Sequence, residues 1–346
     1  MNEVWVASKR RIVMNRKLVG LIAAGLLIVS MGGCTKTVTQ GSNTDGEVLI
    51  EKTESSAVQD DETPAVEDTR EVEPIDVNFD DLTLIEIKNF IADKMAVAGQ
   101  ADMDKMVVEY DKRLTDAYWP LFEKFTFSEY FTAINETKDE NYVLHVENIK
   151  DDVIRKEVEE ALEAGYTFSM AEGDYYLTRD YTTFYAVFGI GLSEKTRPYY
   201  ELRKREAEQP MTIEEYLNID AIELMSRGML LENFIKENPN FAFRNEVKNY
   251  LSAYVNGLLR VSPIANTADY DTGKVSHELL AVYAAIRESD SEILKAAVLD
   301  IEILLEQYDY VVKISDEEVN KAVDALKVKY MDQVPKLVDT FYPVSE

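Results

Sequence analysis

After residue 46 the chain has only eight glycines in its remaining 300 residues, where average usage of about 7% would give roughly 21. Glycine is the residue that lets a backbone turn back on itself at no steric cost, so long stretches without it favour helices over many short strands. Hydrophobic periodicity points the same way. Met103, Met106, Val107, Tyr110, Leu114 and Tyr118 recur at helical spacing, as do Val247, Tyr250, Leu251, Tyr254 and Leu258, and Leu294, Val298, Ile301 and Leu305. Each set lines one helix face and reads as core. Capping-box spacing marks helix starts at Thr83/Glu86, Thr212/Glu215 and Ser315/Glu318, and Gly99, Gly165 and Gly189 are expected helix stops.

One stretch breaks the helical pattern. Tyr166-Thr167-Phe168-Ser169-Met170 alternates polar and apolar residues, Glu172-Gly173 suits a tight turn, and Asp174-Tyr175-Tyr176-Leu177-Thr178 follows. This predicts a small β-hairpin near 166–178, which must pack on helices because an isolated hairpin is marginal. Asp180 is placed to cap a helix through Tyr185. The predicted fold is therefore mostly α: helical hairpins packed as a bundle or as a short tetratricopeptide-like array, with one β-hairpin. The array is suggested by a 51-residue shift that lays Ile235-Lys236-Glu237 on Ile286-Arg287-Glu288 and Val247, Tyr250 and Tyr254 on Val298, Ile301 and Leu305. A 144-residue shift lays Asn89-Phe90-Ile91 on Asn233-Phe234-Ile235 and Met103 to Leu114 on Val247 to Leu258. The tetratricopeptide consensus residues are missing, which favours the bundle.

The N-terminal region has a different logic. Arg16 and Lys17 precede twelve uncharged residues, Leu18 to Val29, and then come Gly32, Gly33 and the only cysteine, Cys34. Twelve residues are too few to span a bilayer, which needs ~20. Charged, apolar and small residues in that order form a secretory signal peptide, predicted over 1–33 with translation starting at Met14. Val29-Ser30-Met31-Gly32-Gly33-Cys34 resembles the lipobox of bacterial lipoproteins, with Met31 where leucine is usual. The resemblance implies cleavage before Cys34 and a diacylglyceryl, palmitate-type modification of its sulfur, hence a lipid anchor on the outer, extracytoplasmic face of the cell membrane. From Thr35 to Asp80 there is one aromatic residue, and thirteen acidic residues face three basic ones. Residues 34–80 are therefore predicted to be a disordered acidic tether, spanning roughly 35–40 Å. Residues 81–165 are predicted to be an N-terminal helical region, and 166–346 the hairpin plus a helical C-terminal region.

Charge narrows the partners. The chain carries 37 basic and 65 acidic residues; removing residues 1–33 leaves 32 and 64, a net charge of −32. A field of that sign repels nucleic-acid phosphates and anionic headgroups, so no nucleic-acid partner is expected and membrane attachment must come from the lipid on Cys34. With its one cysteine committed to acylation, the processed chain has no internal disulfide and no thiolate metal site.

Motifs for chemistry fail on detail. His145-Val146-Glu147 lacks the cysteine pair of a zinc deaminase, and His277-Glu278 lacks the second histidine of a zincin helix. A calcium loop starting at Asp269 would need glycine and glutamate where Lys274 and Leu280 stand. Ala268 replaces the first glycine of a phosphate loop, so Asp269–Lys274 reads as a polar turn capped onto the next helix at Ser276. There is no Gly-x-Ser-x-Gly elbow. No catalytic, cofactor or metal residue is assigned. Eight aromatics between Tyr175 and Tyr200 are the densest cluster, and Tyr175, Tyr176, Tyr181 and Tyr185 are the candidate contact residues for a protein or glycan partner, provided their rings are exposed.

The segment from Glu172 onward is similar to a group of uncharacterised cell-surface lipoproteins of Gram-positive bacteria. The similarity rests on Glu172-Gly173-Asp174-Tyr175-Tyr176, Asp180-Tyr181, Phe234-Ile235-Lys236-Glu237-Asn238-Pro239 and Asp269-Tyr270-Asp271-Thr272-Gly273-Lys274, over roughly residues 172–310. It implies a surface location and a helical fold, and no activity. The functional expectation is a lipid-anchored interaction or accessory protein of the cell envelope. The alternatives are a carboxylate-dependent glycan hydrolase, which needs two carboxyls across a cleft, and a transporter-associated solute-binding component.

Overall fold

The computed structural model describes residues 78–345, apart from 140–142, 172, 214 and 215. The predicted signal peptide, Cys34 and the tether up to residue 77 lie outside the described residues. Among the described residues, eleven α-helices and two small antiparallel strand pairs make up the body. In chain order, the first part has α1 (Leu84–Lys94), α2 (Gln100–Thr126), α3 (Glu129–Asn135) and α4 (Asp152–Glu163). Next come β1 (Tyr166–Ala171), β2 (Asp174–Arg179), α5 (Tyr181–Phe188), α6 (Arg197–Glu208), β3 (Thr212–Ile213) and β4 (Tyr216–Leu217). The rest is α7 (Ala221–Glu237), α8 (Arg244–Leu258), α9 (His277–Glu288), α10 (Glu292–Gln307) and α11 (Glu317–Phe341).

Local chemistry sets most of these boundaries. Thr83 and Glu86 form the reciprocal capping box at the start of α1, each side chain accepting from the other's backbone N–H. Asp180 caps α5 by accepting from Thr183, and Ser276 caps α9 by accepting from Leu279. Gly165 follows α4 with φ of +103°, and a Cβ there would lie 2.8 Å from the Tyr110 hydroxyl, so neither the conformation nor the space admits a side chain. Other expected boundaries move. Gly99 starts α2 instead of ending α1, whereas Gly189 does close α5 as expected, though in an ordinary right-handed conformation. Thr212 opens β3 and not a helix, so strand is not confined to the predicted hairpin. The cap of α11 falls one residue late, on Asp316, whose carboxylate accepts from Val319.

The β1–β2 hairpin forms where predicted, and its register sets Tyr166 opposite Arg179 and Met170 opposite Tyr175. It is docked on α2 by polar pins set in apolar contact. The Tyr166 hydroxyl donates to Leu114 O at 2.7 Å, Tyr118 donates to Leu177 O at 3.1 Å, and Tyr110 donates to Ala164 O at 2.6 Å. A hairpin that is marginal alone gains its stability from this seat. Phe79 is buried against Phe90, and Asp80 pairs with Arg113, so the folded body begins before residue 81 and the predicted tether must end sooner.

The C-terminal helices form a bundle. α7 and α8 pair as a hairpin, α9 packs on α7 and α10, and α11 lies against both α8 and α10. α11 thus fills the layer that an open helical array would leave as a groove. Of the two shifts seen in the sequence, the 144-residue one recurs in the helix starts at Gln100 and Arg244. The three predicted stripes are buried except for Tyr118 and Tyr250, which are half-buried. Leu251 and Leu305 have no exposed surface. Leu251→Ala and Leu305→Ala are each expected to cost ~2–5 kcal/mol, through lost transfer energy and the cavity left behind. Urea titration checks this; a loss under 1 kcal/mol at either site would mean that the stripe is not packed as described.

Candidate functional site

Two of the four tyrosines predicted as a contact surface are core. Tyr175 is 4% exposed and Tyr181 5%, while Tyr176 and Tyr185 are half-buried, so the four do not make a common exposed face. The periodicity of the segment explains this. Tyr175 shares the inward face of the hairpin with Leu177 and Tyr166, whereas Tyr176 points the other way, beside Phe131. Tyr181 and Tyr185 sit one turn apart on α5, Tyr181 turned to the core and Tyr185 near Lys204.

What Tyr181 packs against is an ionic cluster that no sequence motif marks. Asp111 on α2, Arg179 on β2, Arg203 on α6 and Glu246 on α8 converge from four elements. Asp111 has no exposed surface, and its Oδ1 accepts from the Tyr181 hydroxyl at 2.9 Å and lies 3.5 Å from Arg179 Nη1. Arg179 reaches Glu246 Oε1 through Nη2 at 3.4 Å and donates to the Thr115 hydroxyl. Arg203 donates to the opposite oxygen of Glu246 and to Tyr199 Oη, the latter at 2.7 Å. The Arg203 guanidinium lies 3.9 Å from the Tyr181 ring centroid and 5.0 Å from that of Tyr250, close enough for cation–π attraction.

Two guanidiniums and two carboxylates make the cluster neutral in sum, yet its members are perturbed in opposite senses. Burial pushes the Asp111 carboxyl up, against the pull of Arg179 and Arg203. For Glu246 burial acts in the same upward direction, but the two arginines outweigh it and hold the carboxyl below its ordinary range. Two carboxylates in one cluster, Asp111 and Glu246, invite comparison with the acid–base pair of a glycan hydrolase. Asp111 is sealed, however, and Arg179 stands between the two, so a sugar cannot lie across them.

A second cluster ties α6 to α7 and α8. Arg227, only 1% exposed, donates to Glu206, to Gln209 O at 2.8 Å and to Glu223 at 2.7 Å, and the Tyr254 hydroxyl donates to the same Glu206 oxygen at 2.5 Å. Both clusters join side chains from different elements on faces turned to the core. Their arginines are spoken for by carboxylates of the same body, which suits struts better than ligand grips.

Other predicted positions are surface features. His145 lies between Asp139 and Glu147, at 3.3 and 3.1 Å, and hydrogen bonding to Asp139 and then Glu147 raises its pKa. His277 is exposed at the start of α9. Asp269 folds back on its own turn, accepting from the Thr272 backbone at 2.7 Å and its hydroxyl at 2.6 Å, as a polar turn requires. Among the described residues no group of three or more histidine or acidic side chains could hold a metal ion, and no helix is long and apolar enough to cross a membrane. A shallow groove of about 560 Å³ beside Asn78, Lys105 and Arg113 lies where the chain enters the body, and its arginine is held by Asp80 and Glu109. Comparison with protein-family models, with curated proteins and with solved structures finds no match to this chain.

Proposed function

We propose that the protein is a lipid-anchored interaction or accessory protein on the extracytoplasmic face of the bacterial cell membrane. The observation that carries this reading is the order of residues ahead of Cys34: basic at 16 and 17, uncharged from 18 to 29, small at 32 and 33. Two features of the body support it. Its buried arginines are paired with carboxylates of other elements, as a rigid display scaffold needs, and its strong net negative charge leaves the lipid as the means of attachment.

The experiment is to express the full chain and its Cys34→Ala variant in a bacterium that processes lipoproteins. Mass spectrometry of the membrane-derived protein should find a diacylglyceryl group on an N-terminal Cys34. Two acyl chains anchor stably where one is marginal, so the variant should move from the membrane fraction to precursor or soluble fractions. An unmodified Cys34 thiol in membrane-derived protein would defeat the proposal.

A further inference from the structure

The fold leaves one aromatic face of α2 uncovered. Trp119 is 38% exposed and Phe127 is 53% exposed, and both rings rest on Phe122, which is buried. Trp119 lies nearly parallel to Phe122, with planes 13° and centroids 5.3 Å apart, and Phe127 meets Phe122 edge-on at 6.1 Å. An indole stacked on a buried ring, with part of its surface still open to solvent, presents aromatic area held in place by that stacking. Asp116 and Glu123 stand three residues before and four residues after Trp119, on the same face of the helix. Both are exposed, and neither carboxylate has an ion-pair partner among the described residues. The nearest lysine in sequence, Lys124, is committed to Glu157 and to the Tyr130 ring.

A flat indole between free carboxylates is a receptor for a cation. We propose that the Trp119–Phe127 face docks a basic, arginine- or lysine-bearing segment of a partner protein, whose charged group stacks on the indole while Asp116 and Glu123 neutralise it. Charge complementarity selects this occupant. An anionic membrane surface is repelled by a chain of net charge −28, and a neutral glycan would use the ring but gain nothing from the charge of the two carboxylates. The inference rests on the interaction reading above and supplies a class of partner for it.

The test uses the native reporter. The chain has two tryptophans, Trp5 and Trp119, so the full chain carrying Trp5→Phe reports on Trp119 alone. The probe is the peptide Gly-Arg-Gly-Arg-Gly-Arg-Gly, titrated at low salt and again at high salt. We expect a saturable change in Trp119 emission, and an affinity that weakens on the order of tenfold as salt screens the carboxylates. Asp116→Asn combined with Glu123→Gln, both at exposed positions and verified as folded by circular dichroism, should weaken binding roughly three- to tenfold. Trp119→Leu, followed by calorimetry, should do the same. Unchanged affinity in these variants would mean diffuse attraction to an acidic protein and would overturn the proposal. So would a salt-independent emission change with chitohexaose in place of the peptide, which would make the face a glycan platform. Membrane retention through Cys34 is unaffected by any of these results, so the failure of one reading is distinguishable from the failure of the other.

Discussion

Arg203→Ala is expected to destabilise the protein by about 3–5 kcal/mol at neutral pH, because it removes one member of a buried, balanced set of charges and leaves the rest in place. Glu246 loses its Arg203 hydrogen bond, Tyr199 loses a donor at 2.7 Å, and the Tyr181 ring loses the guanidinium packed over it. Arg179 alone then faces two carboxylates. The size of the loss should depend on pH, and its sign can be worked out. Asp111 has a folded pKa above its unfolded value, so its contribution to stability is present at low pH and is lost as pH rises through the folded value. Without Arg203 that opposition to burial weakens and the Asp111 carboxyl rises further, so the variant's deficit should be greatest near neutrality and shrink as Asp111 takes up a proton. Urea titrations of wild type and variant across that range measure the difference. A pH-independent deficit would mean that Arg203 acts through packing alone. Arg203→Met, which keeps much of the volume, should still be costly, because the carboxylates and not the cavity dominate.

None of this cluster could be read from the sequence, and the reason is physical. Asp111, Arg179, Arg203 and Glu246 are far apart in the chain and lie on four different elements, so no local spacing links them. Each looks like an ordinary charged residue of an acidic, surface-rich protein. The only signal was negative: Asp111 follows Tyr110 in the middle of an apolar stripe, and Arg203 falls one turn after Tyr199, within α6. Reading the neighbouring tyrosines as a surface failed for the same cause. Their number exceeds what a hairpin needs to fill its own core, but Tyr181 and Tyr199 are there to face buried guanidiniums.

Local rules succeeded where the determining contacts are local. The helical stripes, the hairpin predicted near 166–178, the Thr83 box and the caps at Asp180 and Ser276 each depend on residues within a turn or two of one another. The bundle itself was only one of two predicted packings. What decides between them is α11, which lies against α8 and α10, and no periodicity within α11 names its neighbours. Trp119 was similarly invisible: it belongs to no stripe, and its exposure follows from the way Phe122 turns inward beneath it.

Glu232→Ala should cost on the order of 3–5 kcal/mol, since this buried carboxylate is the tie between α7, the start of α10 and the C-terminal end of the chain. Its Oε1 accepts from the backbone of Glu292 at 2.7 Å, from Ile293 at 2.8 Å and from the Tyr342 hydroxyl at 2.8 Å, and its Oε2 accepts from the Ser291 hydroxyl. A carboxylate set against free N–H groups at a helix N-terminus is favoured by both hydrogen bonding and the helix dipole. Alanine would strand those donors in the core, at about 1–2 kcal/mol for the cap and about 1–3 kcal/mol for a hydroxyl left without an acceptor. A graded series separates the contributions. Glu232→Gln keeps the shape and an acceptor and should cost about 1–2 kcal/mol through lost charge, while Tyr342→Phe removes a single donor and should cost about 0.5–1.5 kcal/mol. Because Tyr342 and Glu232 share one bond, the Glu232→Ala/Tyr342→Phe double variant should be less destabilised than the sum of the two singles. Strict additivity in urea titration would show that the Tyr342 bond contributes nothing, and would leave Glu232 as a cap for α10 alone.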